Sequence, residues 1–194
     1  SIRASVYRMQ RMKPRNANGD SARACAQWLA NRLRAYGCDS VYLQTWSTSY
    51  APNVIGIRKG VGTGWKDYAA ICGHYDGVVV SPSADDNATG TTAALEAARV
   101  MKGYRFEKTA RYIAFSAEEN GMLGSEAYCA NASGSGDTVI CAFDFEMLGY
   151  ATTDTTSLKI NNSSSVPGTM QFVDFFIACA DTYVNHRVVK ATIP

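Results

Sequence analysis

Charge is scarce in this sequence. Aspartate, glutamate, lysine and arginine together make up 19% of the chain and leave a formal net charge of +2, with no long run of one sign. Neither a disordered segment nor a nucleic-acid surface is expected from such a balance. No apolar stretch nears the roughly 20 residues that a membrane-spanning helix requires, so no membrane partner is expected either. The six cysteines include no Cys-x-x-Cys pair, which argues against a zinc knuckle. Ser1 is not followed by a charged and then apolar leader, so any targeting segment is expected to have been removed or never present. Apolar residues are plentiful instead, 46% of 194, enough to build the core of one large domain.

The cysteines Cys25, Cys38, Cys72, Cys129, Cys141 and Cys179 are scattered and look structural. Cys25 and Cys38 flank a helical pattern that would hold them too far apart to bond. Cys129 and Cys141 are better placed, near a helix end and in the strand after it; reduced thiols are the alternative reading.

Apolar residues at Cys25, Trp28, Leu29, Leu33 and Tyr36 recur at three- and four-residue steps between Ser21 and Tyr36, with Gly37 as a stop, which predicts a helix. Residues 41–46 and 53–58 read as strands joined too tightly for a helical crossover, hence as an antiparallel pair. Strands are then expected over 68–72, 111–115 and 138–145, and helices over 91–101, 123–130 and 169–183. The stretch from Gly73 to Thr89 has no period and reads as a long loop, and Ala151 to Pro167, rich in Thr, Ser and Asn, as another. Strands alternating with helices predict an α/β fold, a three-layer sandwich with a mixed, mainly parallel central sheet flanked by helices. No repeat or linker divides residues 1–194, which read as a single domain.

Ligand sites in open α/β sheets lie beyond the carboxyl ends of the strands. Here those ends carry Gly73-His74-Tyr75-Asp76, Ser116-Ala117-Glu118-Glu119-Asn120-Gly121 and Glu146-Met147-Leu148-Gly149-Tyr150, and the loop after the first adds Asp85 and Asp86. So many carboxylates cannot all stay ionised side by side without compensation. Divalent cations would provide it, and an imidazole with carboxylate oxygens suits Zn²⁺ better than Mn²⁺ or Co²⁺. The number of acids favours two ions clamped by one bridging carboxylate. Adjacent Glu118 and Glu119 can divide into a general base and a metal ligand, and Asp76 is placed to orient His74 through its second nitrogen. Asp85 reads as loop support.

These segments resemble the co-catalytic zinc exopeptidases, a family that includes bacterial leucyl aminopeptidase, glutamate carboxypeptidase II and the glutaminyl cyclases. Four motifs carry the resemblance in the family's order: Gly-His-Tyr-Asp, Ala-Asp-Asp-Asn-Ala-x-Gly, Ser-Ala-Glu-Glu-x-Gly-x-x-Gly-Ser, and an acid followed by Met-x-Gly-Tyr. The resemblance implies a zinc-exopeptidase, phosphorylase/hydrolase-like fold. It implies that His74 binds a first metal, Asp86 bridges two, Glu119 binds the second, Glu118 is the general base and Glu146 completes the first shell. Most members have Asp where Glu146 stands, which makes Asp144 the fallback ligand. Members close the second shell with a histidine in a Ser-Asp-His segment that does not occur before Pro194. The chain is therefore expected to be the N-terminal two-thirds of such a domain. The other histidine, His186, lacks the expected neighbours and reads as a helix-end or exposed residue.

The implied activity is zinc-dependent hydrolysis of N-terminal peptide bonds, with peptides as partners and with two zinc ions in a complete site or one here. Glutaminyl cyclisation, carboxypeptidase action and a non-catalytic metal-binding domain are the alternatives. A secreted or periplasmic location is implied by the resemblance alone.

Overall fold

The computed structural model describes residues 1–194 except residues 63, 153–156, 164, 167, 185–186 and 194, together with the side chains of residues 192 and 193. The chain divides into two compact units, Ser1–Leu148 and Gly149–Pro194. Among the described residues, no helix is long and apolar enough to cross a membrane.

The first unit is built on a five-stranded sheet of β1 (Ser40–Gln44), β2 (Asn53–Arg58), β3 (Asp67–His74), β4 (Thr109–Phe115) and β5 (Thr138–Asp144), in the order β1-β2-β4-β3-β5. β1 and β2 are antiparallel, as are β2 and β4, whereas β3 runs parallel to both β4 and β5. The expected mixed sheet is present, with its antiparallel pair at one edge. β2 and β4 are buried along nearly their whole length, the pattern of strands covered on both faces.

Helices supply that cover. α1 (Ile2–Gln10), α2 (Asp20–Ala35) and α3 (Gly90–Val100) pack on one face. α2 directs Ala22, Cys25, Ala26, Leu29, Ala30 and Leu33 inward at helical spacing, and Gly37, at φ +74°, ends the run where a side chain would be strained. On the other face, Tyr128 and Ala132 of α4 (Leu123–Gly134) meet Ile55, Ile57, Tyr68, Ala70, Cys72 and Ile113. α1 was not anticipated; it buries Met9 from a segment with little periodicity.

The second unit is a parallel pair, β6 (Ser157–Ser163) and β7 (Arg187–Ile193), with α5 (Thr169–Tyr183) between them in sequence. α5 has the bounds expected of it. β6 corrects the reading of Ala151–Pro167 as a loop: its Ser, Lys and Asn residues mask a strand whose stability comes from pairing with β7, which local composition does not report. All six cysteines are unpaired thiols, so Cys129 and Cys141 form no bridge.

Candidate metal centre

The parallel strands β3, β4 and β5 end together. His74 is in register with Phe115, and Cys72 with Asp144. Hydrogen bonds from Tyr75 N to Phe115 O (2.9 Å) and from Phe145 N to Cys72 O (2.9 Å) carry the ladder past the strand ends. The residues that follow, Asp76, Glu118 with Glu119, and Glu146, are thereby delivered to one edge of the sheet. Asp86 arrives from a wide single turn, Ala84–Thr89, that leads into α3.

His74 is the hub. Its side chain is 4% exposed, with Nε2 lying 3.2 Å from Asp86 Oδ1, 3.4 Å from Glu146 Oε2 and 3.8 Å from Glu118 Oε2. Ligand atoms of His74, Asp86 and Glu146 all lie within 4.8 Å of one another. On the other side of the ring, Nδ1 is 3.4 Å from Asp76 Oδ1 but is not aligned for a hydrogen bond, leaving a buried nitrogen without a partner among the described residues. Asp76 is fully buried, and its oxygens are taken by the backbone N–H groups of Glu118 (3.2 Å) and Glu119 (3.3 Å). It therefore fixes the Glu-Glu turn as well as facing the imidazole.

Electrostatics mark the same place. Burial presses the His74 imidazole down, but the carboxylates of Asp76 and Glu146 beside the ring outweigh it and raise the pKa to about 10. Glu118 is pushed up by burial and by the carboxylates of Asp76, Glu146 and Asp86, against the pull of His74. Glu119 is raised too, through burial and then Asp86. The acids that raise the His74 pKa face the position where a cation would be held.

The donor set fits zinc. One imidazole nitrogen and two carboxylate oxygens converge, as in sites that keep a position open for water or substrate. Nδ1 of the same ring faces a buried carboxylate, the arrangement that fixes a metal-binding histidine. Glu119 stands outside the converging group, with a buried Oε1 that has no hydrogen-bond partner among the described residues. Asp144 is on β5, opposite Cys72 in the register, and is not in the group either. Asp85 supports the loop: its backbone oxygen and Oδ1 accept from Thr89 Oγ1 at 2.8 Å and 3.1 Å. His186 lies outside the described residues.

Two groups that bear on the site have no role in the sequence reading. Asn87 donates through Nδ2 to Glu146 Oε2 and Phe145 O, both at 2.9 Å, and accepts through Oδ1 from Gly90 N (2.8 Å) and Met147 N (3.3 Å). Its place beside Asp86 in the motif was a usable signal. Thr91 Oγ1 donates to His74 O at 2.5 Å, and nothing local in the sequence pointed to that.

The pattern of Peptidase family M28 matches residues 53–190, the stretch that supplies every one of these acids and His74. Among curated proteins, the chain is 42% identical over 91 residues to aminopeptidase YwaD of Bacillus subtilis, covering 47% of this chain and 20% of that protein. The crystal structure of the Legionella pneumophila LapA aminopeptidase superposes with a TM-score of 0.84 at 21% identity, over 97% of this chain and 53% of that one. A Bacteroides thetaiotaomicron glutaminyl cyclase superposes with a TM-score of 0.77 at 21% identity, over 100% of this chain and 76% of that one. At such identities, the two structures show a shared fold. The chain spans well under two thirds of the length of YwaD and of LapA.

Proposed function

Because the chain belongs to peptidase family M28, we propose that it is part of a zinc-dependent aminopeptidase that hydrolyses N-terminal peptide bonds. The observation that carries this reading is the convergence of His74 Nε2, Asp86 and Glu146 within 4.8 Å, with Glu118 Oε2 3.8 Å from the same nitrogen. Zinc would supply Lewis acidity there, polarising the scissile carbonyl and making water acidic near neutral pH.

The protein's own residues do the rest. Glu118 accepts the proton of the attacking water and returns it to the leaving amine, and burial, by raising its pKa, makes it a stronger base than an ordinary glutamate. Asp76 holds the Glu118-Glu119 turn by two backbone N–H groups and keeps His74 oriented. His74, Asp86 and Glu146 would hold one zinc. Asp86 and Glu119, whose buried Oε1 has no hydrogen-bond partner among the described residues, would offer part of the shell of a second ion.

Peptides are the substrate class, with their free α-amines directed to the acids of the site. A secreted or periplasmic location belongs to the same proposal and rests on resemblance; the six unpaired thiols do not add to it. A second reading, glutaminyl cyclisation at one zinc, is favoured by the single complete set of three ligands among the described residues.

Zinc content per chain, measured with hydrolysis of aminoacyl anilides and cyclisation of N-terminal glutamine peptides, tests both readings. Glu118→Gln should retain zinc and lose about 10²–10⁴-fold in turnover, the usual contribution of a general base. Persistent anilide hydrolysis in that variant would remove Glu118 from its role, and a folded wild-type chain that takes up no zinc would end the proposal.

A further inference from the structure

The 75–86 segment leaves the sheet at His74 and returns with Asp86, so whatever closes its base sets the distance between two of the three converging ligands. Its neck is tight: a Cβ placed on Gly77 would stand 2.1 Å from Ser83 Oγ. Its tip is open, with Val79 67% and Val80 95% exposed. Across the neck lies Arg15, 1% exposed and far away in sequence.

Arg15 clasps both arms. Its Nε donates to Tyr75 O at 2.8 Å on the outgoing arm; its terminal nitrogens donate to Pro82 O (3.1 Å) and Ser83 O (2.6 Å) on the returning arm, and to Met9 O (2.7 Å) at the end of α1. Its backbone oxygen accepts from Gly77 N at 3.1 Å. All four of these side-chain bonds go to carbonyls, and among the described residues no carboxylate pairs with the guanidinium directly. Burial presses its pKa down, and Asp76 and Asp86 are among the charges that oppose the shift. A buried cation without a contacting anion is costly, and a fork with donors on several edges is what lets one side chain bind both arms.

We propose that Arg15 is a positioning residue for the metal centre: it holds the neck of the 75–86 loop so that His74 and Asp86 are set for zinc before zinc arrives. The inference rests on the zinc reading above and lies outside the residues matched by the family pattern, 53–190. Lysine would keep the charge but, with one ammonium in place of the fork, could not span Tyr75 O and the Pro82 and Ser83 carbonyls.

The test compares zinc affinity, by competition with a chromophoric chelator, in chelator-stripped wild type, Arg15→Lys and Arg15→Met, with circular dichroism and thermal unfolding of the same metal-free samples. Arg111→Lys, which alters a buried arginine on the α4 face, is the control for general destabilisation. Both Arg15 variants should lose about 10- to 100-fold in zinc affinity, the range for groups that hold a metal ligand in place, while Arg111→Lys lowers stability without that loss. A folded Arg15→Lys with zinc affinity within about threefold of wild type overturns the inference. Wild type that binds no zinc would instead defeat the zinc reading. Hydrogen exchange covers the case in which the variants do not fold: the amides of Gly77 and Ala88, which bond to Arg15 O and Ser83 O, should be protected in metal-free wild type. Free exchange there until zinc is added would show that zinc, not Arg15, shapes the loop, and would overturn the inference by itself.

Discussion

Asn87 Nδ2 donates to Glu146 Oε2 at 2.9 Å, on the same oxygen that lies 3.4 Å from His74 Nε2. The longer arm of a glutamate is thus held by an amide that is itself fixed by Gly90 N and Met147 N. Asn87→Ala removes that support and leaves Gly90 N and Phe145 O without it. Zinc affinity should fall by about 10- to 100-fold, as is usual when a partner of a metal ligand is removed. Titration of the chelator-stripped variant checks it, and unchanged affinity would mean that Glu146 needs no anchor.

Gly90 is the point at which α3 approaches the end of β5. A Cβ there would stand 2.0 Å from Phe145 O and 2.3 Å from Asn87 Oδ1, and the first of these is backbone that cannot swing aside. Gly90→Ala should therefore displace Phe145 and, with it, Glu146. The expected outcome is lower thermal stability together with weaker zinc binding. Gly103→Ala, where the added atom meets nothing within 4 Å, should show neither effect.

The mixed sheet and the strand-end cluster were legible because both follow from local pattern. Apolar runs give β2 to β5, and parallel strands bring His74, Glu118 and Glu146 to one edge. α5 was legible at both ends because its apolar face is continuous over 169–183. β6 was not, since Ser157–Ser163 is polar and gains its order from β7, a partner that begins at Arg187. The roles of Arg15 and Asn87 were hidden for a similar reason: what they do is bind carbonyls and side chains brought near by the fold, such as Tyr75 O, 60 residues from Arg15.

On the opposite face, Arg111 Nη1 pairs with Asp137 Oδ2 at 2.7 Å, with side chains 4% and 8% exposed. The guanidinium also sits 3.7 Å over the Tyr68 ring and bonds Tyr128 OH at 3.1 Å, joining β4, β3 and α4 to the start of β5. Removing one partner of a buried pair leaves the other charge uncompensated, which costs about 3–5 kcal/mol. Asp137→Ala should lower stability by an amount in that range in denaturant unfolding, with zinc affinity unchanged. A loss under about 1 kcal/mol, the size of an exposed pair, would show that water reaches this network.

The raised pKa of His74 makes the metal-free protein depend on pH in a definite direction. Burial opposes the shift, but Asp76 and Glu146 carry the imidazole to about 10, against about 6.5 in an unfolded chain. The folded state thus holds the His74 proton more tightly than the unfolded state does. Its contribution to stability is complete below pH ~6.5 and is lost as pH rises through about 10. Glu118 and Glu119, also raised, act in the same sense where they ionise, because the fold prefers their protonated forms. Metal-free protein should therefore unfold more easily at pH 9 than at pH ~6. Zinc must displace the His74 proton, so its uptake near pH 8 should release about one proton and its apparent affinity should climb with pH over the same interval. Calorimetric titration in buffers of different ionisation enthalpy counts that proton. No release at pH 8 would mean that His74 is already neutral in the metal-free fold, and that the acids around it do not stabilise its charge.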